Sequence, residues 1–203
     1  MEEANERALI DRIVVADLAA FDLLYRAYHP RLTRFIGRMT HRPALVGEAL
    51  NDTMLVVWQK AGTFNGSSKV STWVFGIAYR IALKALSRLD EPMADVPEDV
   101  ATAAEHDPAA GRGTPDDSGD SAGNAPNPEH AASAAQRRRG LERALLQLTP
   151  EHRAVVDLTY FHGLSYAEIA EVESCPVDTV KTRMFYARRR LKALLPGAKE
   201  DWL

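Results

Sequence analysis

The sequence predicts an all-α protein: two small helical domains joined by a disordered acidic linker. Three observations carry that expectation. Apolar residues recur at three- and four-residue steps in both ends of the chain, the spacing of one buried helical face. Strand signals, alternating runs and an Asn-Gly hairpin turn between apolar segments, are nearly absent. The middle, residues 90–134, holds six Pro, four Gly and eleven Ala with almost no large apolar side chains. Such a segment cannot bury enough surface to offset its ordering entropy.

The first helical signal runs from Asp17 to Met39, with Leu18, Phe21, Leu24, Tyr25, Tyr28, Leu32, Phe35, Ile36 and Met39 on one face. A second helix is expected over about 44–61, with Leu45, Ala49, Leu50, Met54, Val57 and Trp58 inward. Asn65-Gly66-Ser67-Ser68-Lys69 reads as a loop by composition. A third helix follows over roughly 70–88, carrying Trp73, Ile77, Ile81 and Leu83. After the linker, Thr149-Pro150 is a helix cap followed by proline at the first helical position. Ser165-Tyr166-Ala167-Glu168 has the capping-box pattern and opens a short helix to about Val172. Ser174, Cys175 and Pro176 make a turn, and a last helix runs from about Val177 to Leu195.

The chain has 203 residues, 46% apolar and 26% charged, which suits one large or two small globular domains. No apolar stretch reaches the roughly 20 residues that span a bilayer, and the acidic N-terminus is not a secretory signal. One cysteine, Cys175, precludes an intrachain disulfide and fits a reducing cytoplasm. The net charge of −3 is an average over unlike parts. Residues 1–89 carry +4, residues 90–134 carry −10 and residues 135–203 carry +3. Two mildly basic ends suit phosphate backbones; the acidic middle does not.

A short helix, a tight turn and a longer basic helix have the sequence form of a helix-turn-helix. On the last helix Val180, Met184, Ala187 and Leu191 should pack on Ile169 and Ala170, leaving Asp178, Thr182, Phe185 and Arg189 outward beside Lys181 and Tyr186. The N-terminal half of such a helix meets base edges in the major groove. Arg188, Arg189, Arg190 and Lys192 lie further along, better placed for phosphates. Asp178 is expected to serve as a helix cap. No Walker-type phosphate loop, His-Glu-x-x-His or zinc-spaced Cys pair is present, so neither a catalytic site, a metal nor a cofactor is expected.

The segments Phe21-Asp22-Leu23-Leu24-Tyr25-Arg26-Ala27-Tyr28, Glu48-Ala49-Leu50-Asn51-Asp52-Thr53-Met54-Leu55-Val56-Val57-Trp58 and Ser71-Thr72-Trp73-Val74-Phe75-Gly76-Ile77-Ala78-Tyr79-Arg80 resemble region 2 of the extracytoplasmic-function sigma factors of bacteria. Leu148-Thr149-Pro150-Glu151-His152-Arg153, Gly163-Leu164-Ser165-Tyr166-Ala167-Glu168-Ile169-Ala170 and Val177-Asp178-Thr179-Val180-Lys181-Thr182-Arg183 look like region 4 of the same family. The resemblance covers about 18–88 and 138–194. It implies a region 2 domain over 1–89, a linker over 90–134 and a region 4 domain over 135–203.

By that resemblance the chain is a cytoplasmic, non-enzymatic subunit of RNA polymerase that directs promoter-specific initiation, controlled by an anti-sigma factor. Glu48, Asn51, Asp52, Leu55 and Trp58 align with residues contacting the β′ clamp helices of core polymerase. Asn65, Ser67, Ser68 and Lys69 fall in the loop that captures a base flipped from the single-stranded −10 element. Trp73, Tyr79, Arg80 and Lys84 lie along the same strand, although the spacing of Trp73 with Ile77 and Ile81 better suits a core residue. Thr179, Lys181, Thr182, Phe185, Tyr186, Arg188 and Arg189 would read the double-stranded −35 element, and region 4 would also bind the β flap. The sequence departs from the family pattern at Asn51, Tyr79, Ser174 and Asp178, so no particular promoter sequence carries over. Two other readings stay open: a stand-alone helix-turn-helix regulator, which gives residues 18–88 no role, and a sigma mimic that titrates an anti-sigma factor.

Overall fold

The computed structural model describes residues 3–88, 136 and 139–195. Those residues form helices and short connections, without strands. The expected linker over 90–134 lies outside them.

Helix α1 (Glu3–Val14) has no counterpart among the expected helices. Glu3 and Glu6 sit in its first turn and Arg12 in its last, the charge order that suits the helix dipole. Its Leu9, Ile10 and Ile13 are buried, and Tyr28 donates a 2.7 Å hydrogen bond from its hydroxyl to the buried Glu6 carboxylate. Helix α2 (Leu18–Thr40) starts where the Asp17 carboxylate accepts the amides of Ala19 and Ala20. Leu24, Tyr28, Leu32, Phe35, Ile36 and Met39 form its fully buried face, as the spacing predicts; Phe21 and Tyr25 are half-buried, and Leu18, in the first turn, is exposed instead of buried. Helix α3 (Pro43–Lys60) has proline in its first turn and buries Ala49, Leu50, Met54 and Val57. A 3₁₀ turn (Ala61–Thr63) leads into the loop over 64–69. Helix α4 (Val70–Ser87) packs on both α2 and α3.

The second group begins with α5, residues 139–146. Helix α6 (Pro150–Tyr160) is capped by the Thr149 hydroxyl, which accepts the His152 amide. Helix α7 (Tyr166–Glu173) has the expected capping box: Ser165 and Glu168 each accept the other's backbone N–H. Helix α8 (Val177–Leu194) buries Val180, Met184, Ala187 and Leu191. Asp178 is not its cap; the preceding residue Pro176 occupies that position, and the Asp178 carboxylate takes the Lys181 ammonium instead.

The two groups share one contiguous apolar core. Helix α7 lies across α4 and α6 lies against α2. The His162 ring, from the turn after α6, packs 4.5 Å from Phe75 and 6.1 Å from Phe35 of the first group. A Cβ built on Gly76 would stand 3.7 Å from both the Cα and the carbonyl oxygen of Val172, so α4 and α7 meet almost backbone to backbone.

Candidate nucleic-acid interface

Three surfaces carry the residues singled out by the sequence. The first is the outer face of α3. Ala49, Leu50, Thr53, Met54 and Val57 turn inward, which leaves Glu48, Asn51, Asp52 and Leu55 exposed on the other side. Leu55, at 53% exposure, is an apolar side chain inside a polar patch. Trp58 is half-buried, its ring edge-on to Phe21 at 5.1 Å, so it buttresses the patch more than it presents itself.

The second surface is the loop over 64–69 with the start of α4. Asn65 turns its side-chain oxygen back onto the Ser67 amide at 3.0 Å, which shapes the loop while Asn65 and Ser67 remain exposed. Gly66 sits at φ +71°, a conformation only glycine adopts freely. Phe64 and Trp73 pack ring against ring at 5.4 Å, both half-buried, giving a stacking surface beside the loop's polar groups. Arg7 of α1 closes one flank: its guanidinium donates to the Gly66 carbonyl at 2.7 Å and lies over the Phe64 ring at 5.9 Å. The sequence reading missed Arg7. The signal was present, because Glu6, Leu9, Ile10 and Ile13 recur at helical steps.

The other flank is held by the second group. Lys69 makes a 2.8 Å ion pair with Glu168 of the α7 capping box. That hydrogen bond raises the Lys69 ammonium above its ordinary range. Burial alone would raise Glu168; Lys69 and the Ser165 cap together hold it low. Further along α4, Arg80 and Lys84 are exposed as expected. Tyr79 is not: it is 3% exposed, because α7 covers that face of α4. Burial pushes its phenol far up, and the nearby Glu173 carboxylate adds to the shift.

The third surface is α8. Lys181, Thr182, Phe185 and Arg189 are exposed, with Phe185 at 60%, while Thr179, Tyr186 and Arg188 are half-buried. Lys181 is tied to Asp178 at 2.9 Å, and the Thr182 hydroxyl donates to the Asp178 carbonyl. Arg188 donates two hydrogen bonds to the Tyr160 hydroxyl, which fixes it along the end of α6. Arg183 faces inward and pairs with the fully buried Glu173 carboxylate at 2.6 Å. Among the described residues there is no His, Cys, Asp or Glu cluster that could hold a metal, and no helix long and apolar enough to cross a membrane.

The family described as Sigma-70 region 2 matches residues 24–91, and that described as Sigma-70, region 4 matches residues 138–191. The RNA polymerase sigma-H factor of Pseudomonas aeruginosa is 29% identical over 203 residues, covering 98% of this chain and 99% of its own. The ECF RNA polymerase sigma-E factor of Escherichia coli K12 is 27% identical over 192 residues, 94% of each chain. Among solved structures, CnrH in complex with the cytosolic domain of CnrY superposes with a TM-score of 0.64 at 20% identity, covering 96% of this chain and 99% of that one. The sigma factor RpoE of Bartonella quintana, in complex with the anti-sigma factor NepR, gives 0.59 at 21% identity, covering 88% and 98%. These two likenesses show a shared fold.

Proposed function

This chain belongs to the extracytoplasmic-function sigma factors of bacterial RNA polymerase, and we propose from that premise how its three surfaces divide the work. As a sigma factor it is a polymerase subunit; the bond-making chemistry belongs to the core enzyme. The observation that carries the division is the separation of an exposed acidic face on α3 from two DNA-suited surfaces, the 64–69 loop with α4 and the outer face of α8.

Glu48, Asn51 and Asp52, with Leu55 beside them, dock on the β′ clamp helices of core polymerase. Carboxylates around one apolar contact suit a basic helical partner. The loop takes a flipped −10 base. Unstacking a base costs a few kcal/mol, offset here by the Phe64–Trp73 surface and the polar groups of Asn65, Ser67, Ser68 and Lys69. Arg80 and Lys84 follow the strand's phosphates. The exposed N-terminal half of α8 enters the −35 major groove with Lys181, Thr182 and Phe185, while Arg189 meets phosphate. The domain limits 1–89 and 135–203, with the acidic 90–134 between them, follow from the same reading, as does a cytoplasmic place of action beside polymerase. RpoE, whose fold this chain shares, is held by an anti-sigma factor; a partner of that kind is proposed here too.

The test is run-off transcription with purified core polymerase on fragmented genomic DNA of the source organism. New discrete starts that share upstream elements are expected only when the chain is added. Operator binding without polymerase, and no new starts, would favour the stand-alone regulator. Binding to an anti-sigma factor but not to core would favour the mimic.

A further inference from the structure

Helix α1 brings a side chain to the 64–69 loop from 59 positions away in sequence. The helix itself is a fixed platform. Leu9, Ile10 and Ile13 are buried in the core, and the buried Glu6 carboxylate accepts the Tyr28 hydroxyl at 2.7 Å. The same helix packs on the 3₁₀ turn Ala61–Thr63, which leads into the loop. Arg7, next to Glu6, is exposed on the loop side. Its guanidinium donates to the Gly66 carbonyl at 2.7 Å and lies over the Phe64 ring at 5.9 Å. Glu3, one turn earlier, also faces the loop. The Lys69 ammonium is raised above its ordinary range first by the Glu168 hydrogen bond, and the Glu3 carboxylate adds to the shift.

We propose that Arg7 is a positioning residue for −10 recognition: it holds the 64–69 loop in the shape that receives the flipped base. The proposal rests on the sigma-factor reading above. Gly66, at φ +71°, is the most permissive residue of the loop, and Arg7 fixes its carbonyl with a charge-assisted bond. The second contact fixes Phe64, which packs at 5.4 Å on Trp73 and forms the stacking surface with it. One cation thus orders both the polar turn and the ring beside it. A loop that must order itself around each base loses part of the capture energy to its own entropy, and a loop already tied keeps it. Arg7, Phe64 and Gly66 all belong to the first helical group, so the tie does not depend on where α7 and α8 lie.

A purely structural Arg7 and a positioning Arg7 predict different losses. The first lowers the stability of the domain and weakens every step together. The second loosens the loop and slows promoter opening, while the initial complex on double-stranded DNA forms as before.

The test uses the full chain, free and with core polymerase, at a promoter found by run-off transcription. Arg7→Ala should keep the helical content and melting temperature of the parent. Amide hydrogen exchange over residues 64–69 of the free protein should speed about five-fold, the scale of one lost charge-assisted bond at an exposed site. Initial promoter binding should be unchanged and the opening rate should fall about five-fold. Arg7→Lys keeps a cation and a donor and should recover most of the opening rate. Gly66→Ala reaches the same contact from the other side, since a Cβ there would overlap the Arg7 guanidinium and displace it. Its loss and that of Arg7→Ala should not add in the double variant, because each breaks the same tie. Opening at the parent rate in Arg7→Ala would overturn the proposal. So would strictly additive losses, loop amides that exchange no faster, or an equal fall in initial binding and opening with a lower melting temperature. If the parent protein starts no transcripts, the sigma reading fails and the capture role falls with it. The exchange rates then decide separately whether Arg7 orders the loop.

Discussion

Ser174 ends α7 in the left-handed region, at φ 54° and ψ 45°, with its amide directed at the carbonyls of Ala170 and Glu171. A side chain there costs about 1–2 kcal/mol. Glycine removes that cost but loses about 0.5–1 kcal/mol of extra freedom on folding. Ser174→Gly should therefore stabilise the protein by roughly 0.5–1 kcal/mol, read as a higher urea midpoint at unchanged slope. One residue earlier, burial pushes the Glu173 carboxyl up to about 7 although Arg183 pulls it down. Its ordinary pKa is 4.5, so between 4.5 and about 7 the native state binds a proton that the unfolded chain has released. Stability from this group is present below that window and is lost as pH rises through it. Glu173→Gln should flatten the fall in melting temperature between pH 5 and 7; an unaltered pH profile would show that Glu173 does not titrate in this range.

Among the elements, α7 and α8 were legible because their signals are local. The Ser165–Glu168 box, the Ser174 turn and the apolar stripe from Val180 to Leu191 each lie within one or two helical turns, and each formed where the sequence put it. The same local spacing in α1 went unread behind its acidic first residues. The burial of Tyr79 could not be read, since it depends on contact between residues almost a hundred positions apart. A helical face open to solvent in its own domain looks the same in sequence as one covered by a neighbour. For α8 the buried stripe of Val180, Met184, Ala187 and Leu191 fixes which face turns outward. Lys181→Ala with Thr182→Ala removes two outward groups that contact Asp178, without touching the buried stripe. Base contacts are worth about 1–3 kcal/mol each. Transcription from promoters that need their −35 element should fall ten-fold or more, with core binding and melting temperature unchanged. Equal transcription would take both residues out of the reader.

For the whole molecule the distribution of charge matters more than its sum. Residues 1–89 are net positive, yet α3 gathers Glu48 and Asp52 one turn apart on an exposed face away from α7. A chain that must meet both a polymerase and DNA needs surfaces of opposite sign, or each partner would compete for the other's site. The acidic face of α3 is exposed, so it should set the encounter rate with core polymerase. Glu48→Lys with Asp52→Lys reverses two charges on that face without changing a buried residue. Helical content should be kept. Affinity for core polymerase should fall at least ten-fold, mostly through slower association, and the loss should shrink as salt screens the repulsion. Stopped-flow binding to labelled core at low and high salt separates the outcomes. A salt-independent loss would mean that shape rather than charge is read at this face, and an unchanged association rate would move the docking surface elsewhere on the molecule.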